Sequence, residues 1–126
     1  MFTVYKRDVA DVEPNVYLKG AAGLALGSAA VLTAGSLAKA GASVRPDYII
    51  VGAQRADGTY PAARVQAHTV FAAPCSVSSA AAAGTKVTLT DDALGVTATT
   101  GGAFAVEKVL DAVQPDGKPI VAGRFA

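Results

Sequence analysis

The chain has 126 residues, a length typical of a single domain with one modest core. Its 11 basic and 10 acidic side chains give a formal net charge of +1, which provides no broad positive field to attract nucleic acid. One cysteine and one histidine exclude an internal disulfide and a structural zinc site, which needs four nitrogen or sulfur ligands. Hydrophobic residues make up 52% and charged residues only 17%, a balance typical of proteins that bury surface against a partner or against copies of themselves.

An N-terminal arm, residues 1–16, is expected to precede a single β-rich domain, residues 17–126, because no linker divides the chain. Within the domain, the uncharged stretch 20–38 approaches the length of a membrane-spanning helix. Its alanine, glycine, serine and threonine residues contribute little to insertion, and its glycines favour turns. Acidic residues and Pro14 upstream argue against a secretory leader. We therefore expect short strands and turns here, with a membrane-spanning helix as the alternative.

Short strands separated by turn residues are expected along the rest of the chain. The expected strands are residues 31–33, 48–51, 64–71, 86–90, 96–100, 103–110 and 120–125. The turns between them are expected at Ala34–Leu37, Asp57-Gly58, Asp91–Gly95, Gly101-Gly102 and Gln114–Lys118. The alanine tract in residues 76–84 predicts one or two helical turns that end at Gly84. This pattern indicates a mainly β fold, a small antiparallel β-barrel or sandwich with an N-terminal arm and one short helical segment.

The segment 64–71 alternates between apolar and polar side chains and predicts a half-buried strand. Its expected polar face consists of Arg64, Gln66 and His68. A histidine on such a face is typical of a surface or an interface. We therefore treat these three residues as candidates for contact with a partner.

Residue types that carry catalysis or bind metals are scarce. His68 and Cys75 lack the local sequence signature of a nucleophile and its base, and a small buried thiol is expected at Cys75. Asp91-Asp92 is typical of a turn, since a calcium loop needs further oxygen ligands at set spacing. The sequence therefore predicts a non-enzymatic protein with no catalytic, cofactor-binding or metal-binding residues.

The order and spacing of several segments resemble the small capsid decoration proteins of tailed bacteriophages, also called head-stabilising or cement proteins. Each segment alone has a composition that is common in β-strands and turns, and the resemblance does not include the first sixteen residues. The segments that carry it are Val31–Leu37, Tyr48–Gly52, Tyr60–Val65 leading to Val70-Phe71, Gly84–Leu89, Gly95–Gly102 and Val121–Phe125.

The resemblance implies a protein that binds the outer surface of an assembled phage head and stabilises contacts between major capsid subunits. It implies a virion location after synthesis in the cytoplasm of a host bacterium. Its partners would be the major capsid protein and, in some members, two further copies in a homotrimer, with no nucleic acid and no membrane. The alternative is a soluble β binding module, such as a head-fibre or tail-associated adaptor.

The arm adds three candidates to the expected capsid interface. Phe2, Val4 and Tyr5 precede the charged Lys6-Arg7-Asp8 and could add a strand to an exposed edge of a capsid sheet. The alternative for the arm is a frayed terminus. The full set of interface candidates is Phe2, Val4, Tyr5, Arg64, Gln66 and His68.

Overall fold

The computed structural model describes residues 1–7 and 15–126. Within this part of the chain there are eleven β-strands and no helix. In chain order the strands are β1 (Thr3–Lys6), β2 (Val16–Lys19), β3 (Ala29–Thr33), β4 (Ser36–Lys39), β5 (Tyr48–Ile50), β6 (Thr59–Arg64), β7 (Val70–Pro74), β8 (Lys86–Leu89), β9 (Val96–Thr100), β10 (Phe104–Val113) and β11 (Pro119–Phe125).

The strands form two antiparallel sheets in a sandwich-like arrangement. One sheet has six strands in the order β1-β7-β11-β10-β8-β9, and the other has five in the order β2-β6-β5-β3-β4. The mainly β, antiparallel class expected from the sequence is confirmed, and of the two expected forms, barrel and sandwich, the sheets take the sandwich. No helix in the described ranges is long and apolar enough to cross a membrane.

The main core is built around all four phenylalanines of the chain. The ring of Phe125 lies 5.1 Å from Phe2, 5.3 Å from Phe71 and 5.2 Å from Phe104, measured between ring centroids. These tilted and edge-on contacts are the geometry that aromatic rings prefer. Ala29 and Ile49 of the five-stranded sheet belong to the same core. The aromatic cluster therefore holds the two sheets together.

A second, smaller core lies within the five-stranded sheet and is organised by Tyr60. Its side chain is fully buried among Leu37, Ile50 and Ala62. The Tyr60 hydroxyl donates to the carbonyl of Ala21 at 2.8 Å and accepts from the amide of Leu24 at 3.2 Å. Burial of this hydroxyl is tolerated because both hydrogen bonds are made.

The N-terminal residues join the two sheets. The amide of Phe2 donates to the carbonyl of Gly27 at 2.9 Å, beside the five-stranded sheet. Directly afterwards, β1 pairs with β7 at the edge of the six-stranded sheet. Part of the expected arm, residues 8–14, lies outside the described residues.

Most expected turns occur where the sequence placed them. Ala34 and Gly35 connect β3 to β4 with positive φ angles of 51° and 81°. Two positive φ angles are the requirement of a type I′ hairpin turn, whose twist matches that of the paired strands. At the other end of the chain, Gln114 and Lys118 close the β10–β11 turn through a backbone hydrogen bond of 2.9 Å.

The predicted strand over residues 64–71 is wrong. β6 ends at Arg64, a turn follows at Ala67 and His68, and β7 begins at Val70. The amide of Thr69 donates to the carbonyl of Gln66 at 3.2 Å and closes this turn. The alternation of polar and apolar side chains continues through the turn, which explains why it resembled one continuous strand.

The predicted helical segment at residues 76–84 is also wrong. This stretch is irregular and ends in a turn at Gly84, where φ is +91°. A tract of four alanines is too short to offset the cost of starting a helix. Instead, Ala80 and Ala81 pack against the main core, and the amide of Gly84 donates to the carbonyl of Val106 at 2.8 Å.

Candidate interaction surface

The structure brings together five of the six interface candidates around strand β1. An open cavity of about 540 Å³ lies on one side of this strand. Its lining consists of Val4, Tyr5, Lys6, Arg7, His68, Val70 and Arg124. A much smaller cavity on the other side is lined by Val4, Arg7, Ala63, Arg64, Gln66, Thr69 and Phe71. Val4 therefore connects the part of the surface that holds His68 to the part that holds Arg64 and Gln66.

The sixth candidate, Phe2, lies beneath this surface. Its side chain is only 3% exposed and packs against the rings of Phe104 and Phe125. In contrast, Val4 and Tyr5 are 45% and 40% exposed. Phe2 thus holds β1 in place, and Val4 and Tyr5 are the large apolar and aromatic side chains that β1 exposes.

Two irregularities in strand pairing shape the outer face of the six-stranded sheet. In β1, Val4 pairs with Phe71 and Lys6 pairs with Val70, so Tyr5 is an extra residue between two pairs. In β10, Val106 pairs with Gly123 and Lys108 with Ala122, so Glu107 is likewise extra. Bulges of this kind bend a strand and redirect its side chains. They place Tyr5 and Glu107 on either side of a shallow depression.

This depression, which we call the outer groove, extends from β1 to β10 across the sheet. Its residues are Tyr5, Lys6, Val70, Glu107, Lys108, Ala122 and Arg124, with Arg7 and His68 at one end. Val70 and Ala122 form the floor: they are 6% and 1% exposed although they line the groove.

Charged side chains form the walls of the outer groove and are held by local contacts. The ammonium groups of Lys6 and Lys108 lie 5.8 Å and 5.2 Å from the centroid of the Tyr5 ring, within the range of cation–π attraction. The Nε of Arg124 donates to Oε2 of Glu107 at 2.6 Å. Because both partners of that ion pair are exposed, it contributes little to stability and chiefly fixes the position of the two side chains.

An apolar patch adjoins the surface on the other side of β1. Met1, Val4, Leu26 and Val51 are each at least 40% exposed and line a cavity of about 280 Å³ between the two sheets. Scattered apolar residues are normal on protein surfaces, but a group around one cavity is typical of a contact site.

Arg64 and Gln66 differ in their surroundings. The guanidinium of Arg64 lies 5.5 Å from the centroid of the Tyr48 ring. The Oε1 atom of Gln66 is buried, and no donor in the described part of the chain hydrogen-bonds to it. His68 is exposed in its turn and faces the cavity that it shares with Tyr5 and Arg124.

The structure does not bring His68 and Cys75 together. They flank opposite ends of β7, whose five residues span roughly 17 Å of extended chain. Cys75 is buried in the main core, and burial raises the pKa of its thiol.

Asp92 lies in a turn, where its carboxylate accepts hydrogen bonds from Thr90 and Leu94. Within residues 1–7 and 15–126, no three His, Cys, Asp or Glu side chains form a cluster suited to a metal ion.

Sequence reasoning missed the basic side chains of the outer groove. Lys6 and Arg7 adjoin the arm candidates, while Lys108 and Arg124 are distant in sequence and meet Tyr5 only through the order of strands in the sheet. Charged residues within strands, Lys108 in β10 and Arg124 in β11, were the available signal. Comparisons with protein-family models, curated proteins and solved structures find no match to this chain.

Proposed function

We propose that this protein is a non-enzymatic capsid decoration protein that binds the outer surface of an assembled phage head and stabilises contacts between major capsid subunits. The observation that carries the proposal is the convergence of two distant segments, 4–5 and 64–68, on one surface beside β1. The resemblance of the segment order to decoration proteins supplies the identity of the partner. The proposed location is the outside of the virion, after synthesis in a bacterial host.

The surface around β1 has the properties of a protein interface. It combines the apolar patch of Met1, Val4, Leu26 and Val51 with a charged groove next to it, much as an interface combines an apolar centre with a polar rim. β1 is also an edge strand, so one side of its backbone has no partner strand among the described residues. An exposed strand edge of this kind can accept an extended segment from another protein.

Because the shell repeats the binding site many times, weak individual contacts would be sufficient for stable attachment. Each copy that touches more than one capsid subunit gains affinity because its second contact is intramolecular. The symmetry of the shell then repeats the same contact at every equivalent position. A homotrimer around a three-fold position is one arrangement that meets both conditions.

The decisive experiment is co-sedimentation of the purified protein with expanded phage shells that lack it. We expect binding to saturate at a fixed ratio to the major capsid protein and to raise the melting temperature of the shells. Val4→Asp, in the apolar patch, should weaken binding. Val109→Asp is the matched control, because Val109 is 51% exposed, also lies in a strand and does not line the cavities around β1.

Failure of the unmodified protein to bind shells at saturating concentration would refute the decoration function and favour the soluble adaptor. Equal binding by Val4→Asp and the unmodified protein would leave decoration standing but remove the apolar patch from the interface. Thermal unfolding of both variants alone separates loss of binding from loss of fold.

A further inference from the structure

The outer groove concentrates positive charge that the chain as a whole lacks. Four basic side chains, Lys6, Arg7, Lys108 and Arg124, surround one acidic side chain, Glu107, for a net charge of +3 with His68 neutral. The whole chain has a net charge of +1, so all other residues together sum to −2. This is a marked separation of charge for a chain of 126 residues, and the groove therefore attracts negatively charged groups.

The shape of the groove favours an extended polypeptide. Its floor of Val70 and Ala122 is apolar and closed, while Lys6 and Lys108 stand beside the Tyr5 ring as exposed donors. β1 and β10 border the groove, and β7 and β11 lie between them. An extended segment that lies over β7 and β11 directs every second side chain toward the sheet.

We propose that the outer groove binds an acidic, extended segment of a partner protein. This inference rests on the proposed function, in which the partner segment belongs to the major capsid subunit. The side chains at every second position of that segment face the groove: aspartate or glutamate side chains among them pair with Lys6 and Lys108, and aliphatic side chains among them cover Val70 and Ala122. Tyr5 holds both ammonium groups beside its ring, at 5.8 Å and 5.2 Å from the centroid.

Charge reversal in the groove tests the proposal against a matched control. The variant Lys6→Glu/Lys108→Glu reverses two groove charges, and Lys19→Glu/Lys39→Glu makes the same change in net charge on the five-stranded sheet. At low salt we expect the groove variant to bind shells about tenfold more weakly, because like charges now face the partner. The control should bind within about twofold of the unmodified protein, and added salt should weaken only groove-dependent binding.

A second measurement uses a defined probe and does not depend on shells. Titration calorimetry should detect binding of a capped eight-residue peptide in which glutamate and valine take turns at every second position, with serine between them, to the unmodified protein. The groove variant should not bind it, and the same peptide with lysine in place of glutamate should bind neither protein.

The outcomes separate the two proposals. Shell binding that is equal for the groove variant and the unmodified protein overturns the groove proposal and leaves decoration standing. Peptide binding that is lost on charge reversal, together with no binding to shells, supports the groove and overturns decoration. Equal binding of an eight-residue acidic peptide and an eight-nucleotide oligothymidylate overturns the proposal in favour of a site for any polyanion.

Discussion

Asp92 shows how one carboxylate stabilises a turn in a pH-dependent way. Its Oδ1 atom accepts hydrogen bonds from the Thr90 hydroxyl at 2.5 Å and from the Leu94 amide at 3.0 Å. These bonds favour the charged form and hold the pKa of Asp92 below its usual value of 3.8. A carboxyl group with a lowered pKa in the folded state stabilises the fold above its unfolded pKa and loses that contribution as the pH falls through the folded value.

We therefore expect Asp92→Asn to lower the melting temperature at pH 7 and to have a progressively smaller effect as the pH falls below about 4. Asp91→Asn is the control, because Asp91 is adjacent and makes neither of these hydrogen bonds. Thermal unfolding at a series of pH values measures both variants. A deficit in Asp92→Asn that stays constant from pH 7 to pH 2 would contradict the assignment.

At the scale of elements, the turn of the β3–β4 hairpin contains a residue with an unfavourable backbone conformation, Ala34. Ala34 has a φ of 51°, in the left-handed region that costs an alanine roughly 1 kcal/mol. Asparagine tolerates this conformation, so Ala34→Asn should raise the free energy of unfolding by about 0.5–1 kcal/mol in denaturant titrations. Ala34→Val should lower it, since a β-branched side chain is strained at positive φ. The same sign of change for both variants would argue against a type I′ turn.

How well the sequence predicted an element depended on whether neighbouring residues alone determine it. Strand β3 and the turn after it were predictable because glycine and a short strand pattern define them locally, but strand β4 was not, and Ser36 and Leu37 belong to it and not to the turn. The turn at Ala67 and His68 was not, since it interrupts an alternation that neighbouring residues continue on both sides. The helix predicted for the alanine tract is wrong for the opposite reason. Helix propensity is a local property, whereas Ala80 and Ala81 contact core residues that are distant in sequence.

The residues of the candidate surface also differ in whether neighbouring residues alone could predict them. Val4, Tyr5 and His68 were accessible to sequence reasoning because they stand out as aromatic, apolar or titratable residues in polar surroundings. Lys108 and Arg124 were not, because only the strand order β1-β7-β11-β10 brings them to the Tyr5 side of the sheet. Strand order depends on contacts between distant segments, which a pattern read along one chain does not contain.

At the scale of the whole molecule, the N-terminus acts as a joint between the two sheets. The Met1 ammonium donates to the carbonyl of Leu94 at 2.6 Å, and Phe2 completes the aromatic cluster of the main core. Burial lowers the pKa of this amino group, and the nearby Asp92 carboxylate opposes part of that shift. The first two residues therefore contact the loop at Leu94 and the main core, although these lie far from them along the chain.

The role of the N-terminus can be tested by comparing its two aromatic residues. Phe2→Ala removes a buried ring in contact with Phe104 and Phe125 and should lower the free energy of unfolding by about 3–5 kcal/mol. Tyr5→Ala removes an exposed ring from β1, the strand that follows Phe2, and should change the free energy of unfolding by less than about 1 kcal/mol, while altering the proposed contact surface. Denaturant unfolding measures both. If the first residues instead form a separable arm, both variants will unfold at the same denaturant concentration as the unmodified protein. A large loss confined to Phe2→Ala will mean that the arm begins inside the core of the domain, and that Tyr5 is the residue with which to probe attachment to a shell.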